Sequence, residues 1–478
     1  MSDGSLQRAM DLERKQHIHI VGVGGAGMSA IAVVLAAMGH EVTGSDIKAS
    51  AVFQRLKSLG LSLEVGHDPV NVVGADALTL SSAIDPSNSE VAEARRLGIP
   101  IFSRADVLAG ITGLRRTIAV AGTHGKTTTA SMLAVVLVEA GFRPSFIIGG
   151  DLNDIGTNAV WDTGEWLVVE ADESDRTFLR LSPEVAVVTS IEPDHLETYG
   201  SFATLRDAFA TFMAGASRVV VSADDRTAME LAPSAATSFG KSDGASYRIS
   251  ALRPERSQIT FALEHRSPRA RSADRGSAGG TLGPTSLGEF SVAAPGEHNA
   301  RNAAAAIVAA LSVGAEPDAA RRALGRFGGV ARRFEFRGTR DGVTFVDDYA
   351  HLPSEVRAAL AAARSGGFER VVCVFQPHRY SRIASLAPDF SSAFVDCDLL
   401  FVTDVYSAGE RARPGVTGHL VVDAVLGAHP EADVVYTATH EELLGHLRAS
   451  LRSGDCCITL QAGDLTDLAD ELLAGATW

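Results

Sequence analysis

Thr117-Ile118-Ala119-Val120-Ala121-Gly122-Thr123-His124-Gly125-Lys126-Thr127-Thr128-Thr129 runs from a short apolar, β-branched stretch through a glycine-bounded turn into an apolar helix. A strand that feeds a helix through such a loop is the unit of a parallel sheet, because parallel neighbours need a crossover between them. The spacing departs from the general GxxxxGK[ST] phosphate loop, since Val120 stands five residues before Gly125, and follows a shorter, more selective GTxGKT form. Gly122, Thr123, His124, Gly125, Lys126, Thr127 and Thr128 are therefore candidate binders of a nucleoside triphosphate. The lysine acts as a compact point charge, and the Thr127 hydroxyl suits the accompanying Mg²⁺. The chain has five lysines against 38 arginines, so Lys126 is no casual surface lysine. The alternative is a turn with no ligand.

Upstream the same alternation is already running. His17–Val21, Met28–Met38, Glu41–Gly44, Asp76–Leu80 and Ile99–Phe102 read as strand, helix and three further strands. Between the first two lies a second Gly-rich loop, Gly22-Val23-Gly24-Gly25-Ala26-Gly27, whose amides and helix dipole can hold a diphosphate. Asp46, nineteen residues past Gly27, stands where a ribose-binding acid would sit. A packing turn is the competing reading. Downstream of the triphosphate loop the helix Thr128–Glu139 and strands at Trp166–Val169, Val185–Thr189 and Arg218–Ser222 continue the pattern.

His265–Pro284 is rich in Arg, Ser and Gly without periodicity and reads as a mobile surface insertion, with a phosphate-binding arm as the rival. After Gly314–Phe327 a third alternation follows, with strands at Val343–Asp347, Arg370–Phe375, Leu399–Thr403, Asp433–Thr437 and Cys457–Gln461. The expected boundaries are 1–114, 115–327 and 328–478.

Two acidic clusters fall at carboxyl ends of strands in the middle segment, where ligands of open α/β sheets gather. They are Glu170-Ala171-Asp172-Glu173-Ser174-Asp175 and Glu192-Pro193-Asp194-His195. Their carboxylates and imidazole can ligate Mg²⁺ beside a transferring phosphoryl group, or form a solvated loop with a capping histidine. Asn299 and Asn302 share one helix face, as N-caps or as partners of a nucleotide base. In the last segment Asp347-Asp348-Tyr349-Ala350-His351 ends one strand, and Gln376-Pro377-His378-Arg379-Tyr380-Ser381-Arg382 follows another. Arg379 and Arg382 can form a fork for a carboxylate.

The chain has 478 residues, 46% hydrophobic and 21% charged, which is globular material for several domains. A formal charge of −15 disfavours nucleic acid and anionic lipid as partners. No apolar run approaches the ~18 residues of a membrane helix, and Met1–Gln16 lacks a signal-peptide core, so a cytoplasmic protein is expected. Cys373, Cys397, Cys456 and Cys457 read as free core thiols, and no zinc spacing occurs.

Six blocks stand in one order: GVGGAGMSAIA at 22–32, AGTHGKTTT at 121–129, EADESD at 170–175, EPDHLETYG at 192–200, HNARNAAAA at 298–306, and DDYAHLPSE at 347–355 with FQPHRYSR at 375–382. Together they resemble the Mur ligase family, and the likeness runs from about His17 to Asp464. It implies an α/β protein of three domains: a Rossmann-like UDP-binding domain, a central P-loop ATPase-like domain and a C-terminal Rossmann-like domain. It further implies ATP and Mg²⁺ as cofactors and the joining of L-alanine to the carboxylate of UDP-N-acetylmuramate through an acyl phosphate, in a monomer or homodimer.

By the same resemblance Gly24, Gly25, Ala26 and Gly27 cradle a UDP diphosphate with Asp46 nearby. Lys126 holds the γ-phosphate, Thr127, Glu170 and His195 serve the metal, and Asn299 and Asn302 hold the adenine side. Arg333 and Asp348 reach the nucleotide, and Tyr349, His351, Arg379 and Arg382 surround L-alanine, with His351 orienting its amine or taking its proton. Two features depart from the family pattern. Ala350-His351-Leu352-Pro353 replaces the usual GHHP, and no lysine lies between His195 and Lys241 to be carbamylated as a metal bridge.

Other readings explain less. A nicotinamide-dependent dehydrogenase uses Gly22–Gly27 and Asp46 but leaves the second loop idle. A folylpolyglutamate synthetase lacks the first Gly-rich domain, and a ligase for murein tripeptide fits FQPHRYSR less well than one for a small amino acid. A non-catalytic nucleotide-binding regulator needs no complete set of metal and amino-acid residues.

Overall fold

A computed structural model describes residues 9–81, 83–266 and 284–474, the side chain of Ala26 excepted. Most of the Arg/Ser/Gly-rich stretch therefore lies outside the described residues. Those that are described form three sheets.

The first sheet contains β1 (His17–Val21), β2 (Glu41–Asp46), β3 (Ser62–Val65), β4 (Ala77–Leu80) and β5 (Ile101–Ser103). Its order is β3-β2-β1-β4-β5, with every pairing parallel. The order reverses between β1 and β4, and the Gly-rich loop leaves β1 at that switch point, where such sheets open a crevice.

The second sheet contains β6 (Arg116–Ala121), β7 (Ser145–Leu152), β8 (Thr157–Val160), β9 (Trp166–Glu170), β10 (Val185–Val188), β11 (Arg218–Ser222), β12 (Thr237–Gly240), β13 (Tyr247–Pro254), β14 (Ile259–His265) and β15 (Thr285–Val292). β6 is central, flanked by β9 and β10, both parallel to it. Both acidic clusters consequently emerge beside the Gly122–Lys126 loop. The helix that follows, Lys126–Glu139, is buried along most of its length, from Thr127 to Leu137, which explains why its sequence is apolar all round rather than on one stripe.

The third sheet joins β16 (Glu335–Arg340), β17 (Val343–Asp348), β18 (Arg370–Phe375), β19 (Leu399–Val402), β20 (Val434–Tyr436) and β21 (Asp455–Leu460) in the order β16-β17-β21-β18-β19-β20. Only β16 runs antiparallel, paired with β17. Its two faces bury separate cores, one around Phe375, Phe390 and Phe394, the other around Phe345, Phe401 and Leu443. Cys373, Cys456 and Cys457 are buried there as free thiols, and Cys397 is half-buried.

The chain packs as two compact units: Met1–Ser250 with Leu263–Gly288 and Asn302–Leu324, and Ala251–Ala262 with Glu289–Arg301 and Gly325–Trp478. Within the first unit one apolar cluster runs from Ile18, Ile31 and Phe53 of the first sheet's layer into Leu167, Phe178 and Phe209 of the second. A single nitrogen of the Arg55 guanidinium, Nη1, donates to both carboxylate oxygens of Asp151 on β7, at 2.9 and 3.1 Å.

The strands expected at His17–Val21, Arg218–Ser222 and Arg370–Phe375 have those bounds, and others shift by one or two residues. β3, the antiparallel pair β7–β8, β12 to β15 and β16 were not expected. Half of them, β3, β8, β15 and β16, are edge strands, and none of the eight carries an apolar run longer than three residues, such as Phe146-Ile147-Ile148 in β7.

Candidate functional site

Strand β6 delivers the chain into a loop whose shape only glycine permits. Gly122 has φ of +133°, and a Cβ there would lie 2.2 Å from Thr189 Oγ1. Gly125 has φ of +77°, and its missing Cβ leaves room for the Asn302 carboxamide. The loop is tied to the segment after β10: the His124 amide donates to Ser190 Oγ (3.0 Å) and the Glu192 amide to Thr123 Oγ1 (2.8 Å). His124 Nε2 lies 3.1 Å from the Glu192 carboxylate.

Lys126 opens the helix and folds back over the loop, donating to the Gly122 carbonyl (2.7 Å) and the Glu173 carboxylate (2.9 Å). Burial alone would lower its pKa, but the charges of Glu173, Asp172 and Glu170 outweigh that and hold it above its ordinary value. The ammonium is thus a fixed cation. Glu173 is 1% exposed, and burial lifts its pKa while Lys126 opposes the rise.

Thr127 Oγ1 donates to Glu170 Oε1 at 2.9 Å, and the other Glu170 oxygen accepts from the Gly149 amide at 2.7 Å. A hydroxyl and a carboxylate side by side, next to a phosphate loop, are hard oxygen donors of the kind Mg²⁺ takes. His195, at φ of +52°, pairs instead with Asp194 (3.3 Å) and Glu197 (3.7 Å). Asn302 packs on the loop, whereas Asn299 donates to the Pro295 carbonyl at 2.7 Å. Although they share a helix face, the two asparagines have different neighbours.

In the first Gly-rich loop the Gly24 amide donates to Asp46 Oδ2 at 2.9 Å, so Asp46 braces the loop as well as facing its mouth. Gly25 caps the helix Ala26–Ala37 without a side-chain acceptor. Its first-turn amides are left to a ligand or to water.

In the second unit Asp348, at the end of β17, accepts from the amides of Phe334 and Ala350, both at 2.7 Å. Burial pushes its carboxyl up to about 6, against the pull of Arg333, and buried Asp347 rises likewise to about 6. Two guanidiniums lie over the Tyr349 ring, Arg332 at 4.9 Å and Arg333 at 5.1 Å from its centre. Rings then continue from Tyr349 to His351 (5.5 Å), His378 (5.5 Å) and Tyr406 (5.8 Å).

His351 Nδ1 faces the Tyr349 carbonyl at 2.9 Å, to which it must donate, and lies 3.4 Å from the Glu355 carboxylate. His378 Nδ1 lies 2.9 Å from Arg382 Nη1, which can only donate, so its proton is on Nε2. Arg382 is therefore turned onto His378, and the Arg379 amide donates to the Tyr406 carbonyl at 2.9 Å. A cleft of about 630 Å³ opens beside these residues, lined among others by Gln376, Tyr380, Asp404, Tyr406 and Asp464.

Sequence reasoning offered Glu173 and Glu192 only as members of the two acidic clusters that can ligate Mg²⁺, and it gave His378 no role; the structure pairs Glu173 with Lys126, Glu192 with His124 and His378 with Arg382. Their signal was proximity to Lys126, His124 and Arg382, which only the fold reveals. The positive φ of Arg332, Phe334 and Arg379 is likewise invisible in sequence, although Arg379 itself was expected at the site for its charge; such backbone clusters at functional sites.

Three family models match the chain in order: the Mur ligase family catalytic domain over residues 17–116, the Mur ligase middle domain over 120–310 and the Mur ligase glutamate ligase domain over 332–463. A UDP-N-acetylmuramate–L-alanine ligase of Rubrobacter xylanophilus is 44% identical over 465 residues, covering 96% of this chain and 99% of that protein. One from Myxococcus xanthus is 42% identical over 465 residues, with coverage of 95% and 94%. The crystal structure of a UDP-N-acetylmuramate–alanine ligase from Thermotoga maritima aligns with a TM-score of 0.78 at 28% identity, over 96% of this chain and 98% of that one.

Proposed function

The chain belongs to the Mur ligase family, and we propose that it joins L-alanine to the carboxylate of UDP-N-acetylmuramate, consuming ATP, as an early step of peptidoglycan precursor synthesis. The observation that carries this reading is the Gly122–Lys126 loop, with its lysine fixed among Glu170, Asp172 and Glu173 and with Thr127 against Glu170. A dehydrogenase has no use for that arrangement.

A carboxylate is a poor electrophile at neutral pH, so it must first be activated. The muramate carboxylate attacks the γ-phosphorus of ATP, giving an acyl phosphate and ADP. The neutral amine of L-alanine then attacks the acyl carbon, and the tetrahedral adduct expels phosphate as the amide forms. Lys126 faces the γ-phosphate, where its fixed charge offsets the repulsion between the two anions and stabilises the charge that develops. Thr127 and Glu170, with His195 as a further donor, are the residues that would hold Mg²⁺, which when bound supplies further neutralisation of the phosphate oxygens.

On the nucleotide side Gly122–Thr128 offer amides and hydroxyls to the phosphates, while Asn302 flanks the loop and Asn299, Arg333 and Asp348 serve the rest of the nucleotide. Gly24–Gly27 and Asp46 hold the UDP moiety. Tyr349, His351, Arg379 and Arg382 form the L-alanine subsite: the arginines take its carboxylate, and His351 orients the amine or removes its proton. The proposed domains are 1–114, 115–327 and 328–478. Among the described residues no helix is long and apolar enough to cross a membrane, and a cytoplasmic place of action is part of the same proposal.

Phosphate release is the test, with ATP, Mg²⁺ and UDP-N-acetylmuramate supplied and L-alanine either present or absent. Release that requires both, with amide product, is expected. Release with a murein tripeptide in place of alanine makes the protein a recycling ligase, and no release with any acceptor overturns ligation altogether.

A further inference from the structure

Arg104 begins the helix Arg104–Gly113 directly after β5, at the same carboxyl end of the first sheet's parallel strands as the loop Gly22–Gly27 that follows β1. Its position is fixed by a capping box, in which Ser103 and Asp106 bond reciprocally. The guanidinium lies against Gly27. A Cβ at that position would stand 2.9 Å from Arg104 Nε and 3.0 Å from Cζ, so glycine is what admits the group over the first turn of the helix Ala26–Ala37.

That placement is balanced only in part, by Asp175 and, more remotely, by the charge of buried Asp172. Nε is buried without a hydrogen-bond partner, and the ion pair to Asp175 is long, Nη1 to Oδ2 at 3.7 Å. A cation at the positive end of a helix dipole is unfavourable by itself and becomes favourable once an anion lies between the two. The same turn lacks a side-chain cap at Gly25.

We propose that Arg104 is a substrate-binding residue for an organic diphosphate, that of the UDP-sugar, and exchanges its contact with Asp175 for a phosphate oxygen when the sugar nucleotide binds. This rests on reading Gly24–Gly27 as the diphosphate loop. It also gives the run Glu170–Asp175 a second task. At one end Asp172 and Glu173 neutralise Lys126 of the triphosphate loop, and at the other Asp175 neutralises Arg104 of the diphosphate loop. Each carboxylate occupies its cation until a phosphate takes over. Sequence reading passed over Arg104 because it is one arginine among 38, with no glycine or strand cue of its own.

The test is calorimetric titration of UDP, without catalysis, into the wild type, Arg104→Met, Arg104→Lys and Asp175→Asn, with ATP titrated in parallel. A charge-assisted contact to phosphate predicts UDP binding weaker by about 10- to 100-fold in Arg104→Met and by less in Arg104→Lys, with ATP affinity unchanged within about twofold. Asp175→Asn should bind UDP at least as tightly as the wild type, because the competing carboxylate is gone. Unchanged UDP affinity in Arg104→Met overturns the inference. So does an equal loss in Asp175→Asn, which would make the ion pair itself the determinant. A wild type that does not bind UDP overturns the reading of the first loop and this inference with it.

Discussion

The ammonium of Lys126 sits 2.9 Å from the carboxylate of Glu173, a residue that is 1% exposed and whose second oxygen has no hydrogen-bond partner among the described residues. The pair is a preset charge rather than a structural tie. Glu173 holds the lysine above the loop at the place where phosphate oxygens would displace it.

Replacing Lys126 by Ala should lower phosphate release by at least about 100-fold, the scale on which one preorganised electrostatic group acts. Far-UV circular dichroism should be unchanged. A variant that releases phosphate at the wild-type rate would refute the role given to the loop.

Gly122→Ala should destabilise the loop where a neutral helix glycine does not. The added methyl meets Thr189 Oγ1 at 2.2 Å and the Ser190 backbone at 2.9 and 3.0 Å, in a φ region that L residues rarely adopt. The expected cost is about 2–3 kcal/mol together with loss of ATP binding. Gly113→Ala, where a Cβ meets nothing within 4 Å, is the control and should be neutral or slightly stabilising. Thermal melts of the two variants with and without ATP decide the matter, and equal melting points would refute the steric argument.

The adjacent carboxyls of Asp347 and Asp348, each lifted to about 6 by burial, should put an acid limb near that value into the pH profile of kcat/KM. The sign is set by the rise: the folded state holds these protons more tightly than the unfolded chain does, so their contribution to stability falls as pH climbs from about 4 to about 6. Asp348→Asn should lower activity and move the limb. A profile that keeps the same limb in the variant would assign it elsewhere.

Glu90 behaves oppositely. Burial would raise its carboxyl, but bonds from Ser45 and Asn71 and the neighbouring His19 bring it down to about 2. A depressed acid stabilises the fold above its unfolded value, and that contribution, about 3 kcal/mol, is lost as pH falls from about 4.5 to about 2. Urea midpoints of wild type and Glu90→Gln should converge over this window, and a constant gap between them would show that the ionised state contributes nothing.

Strands carrying continuous apolar runs were legible, because a strand covered on both faces must be apolar along its length, as Val185–Val188 and Leu399–Val402 are. The edge strand Ser62–Val65 buries only Leu63 and left no trace in hydropathy. Both Gly-rich loops were legible since their glycines are required by backbone geometry. Arg104, Glu173 and His378 were not, because each owes its place to a partner distant in sequence or to a ring stack, and residue type alone does not encode those neighbours. The fork expected of Arg379 and Arg382 was legible as charge but not as direction, given that Arg382 donates to His378.

The apolar cluster shared by the first two sheets bears on how the protein can be divided. Sequence and family matching cut the chain near residue 115, yet Ile31 and Phe53 on one side of that cut belong to the same buried cluster as Leu167 and Phe178 on the other. A fragment ending there would carry an uncovered greasy flank and be expected to precipitate. The first two sheets are thus matched by separate family models but share one buried cluster, and a dissection that keeps that cluster covered has to keep them together.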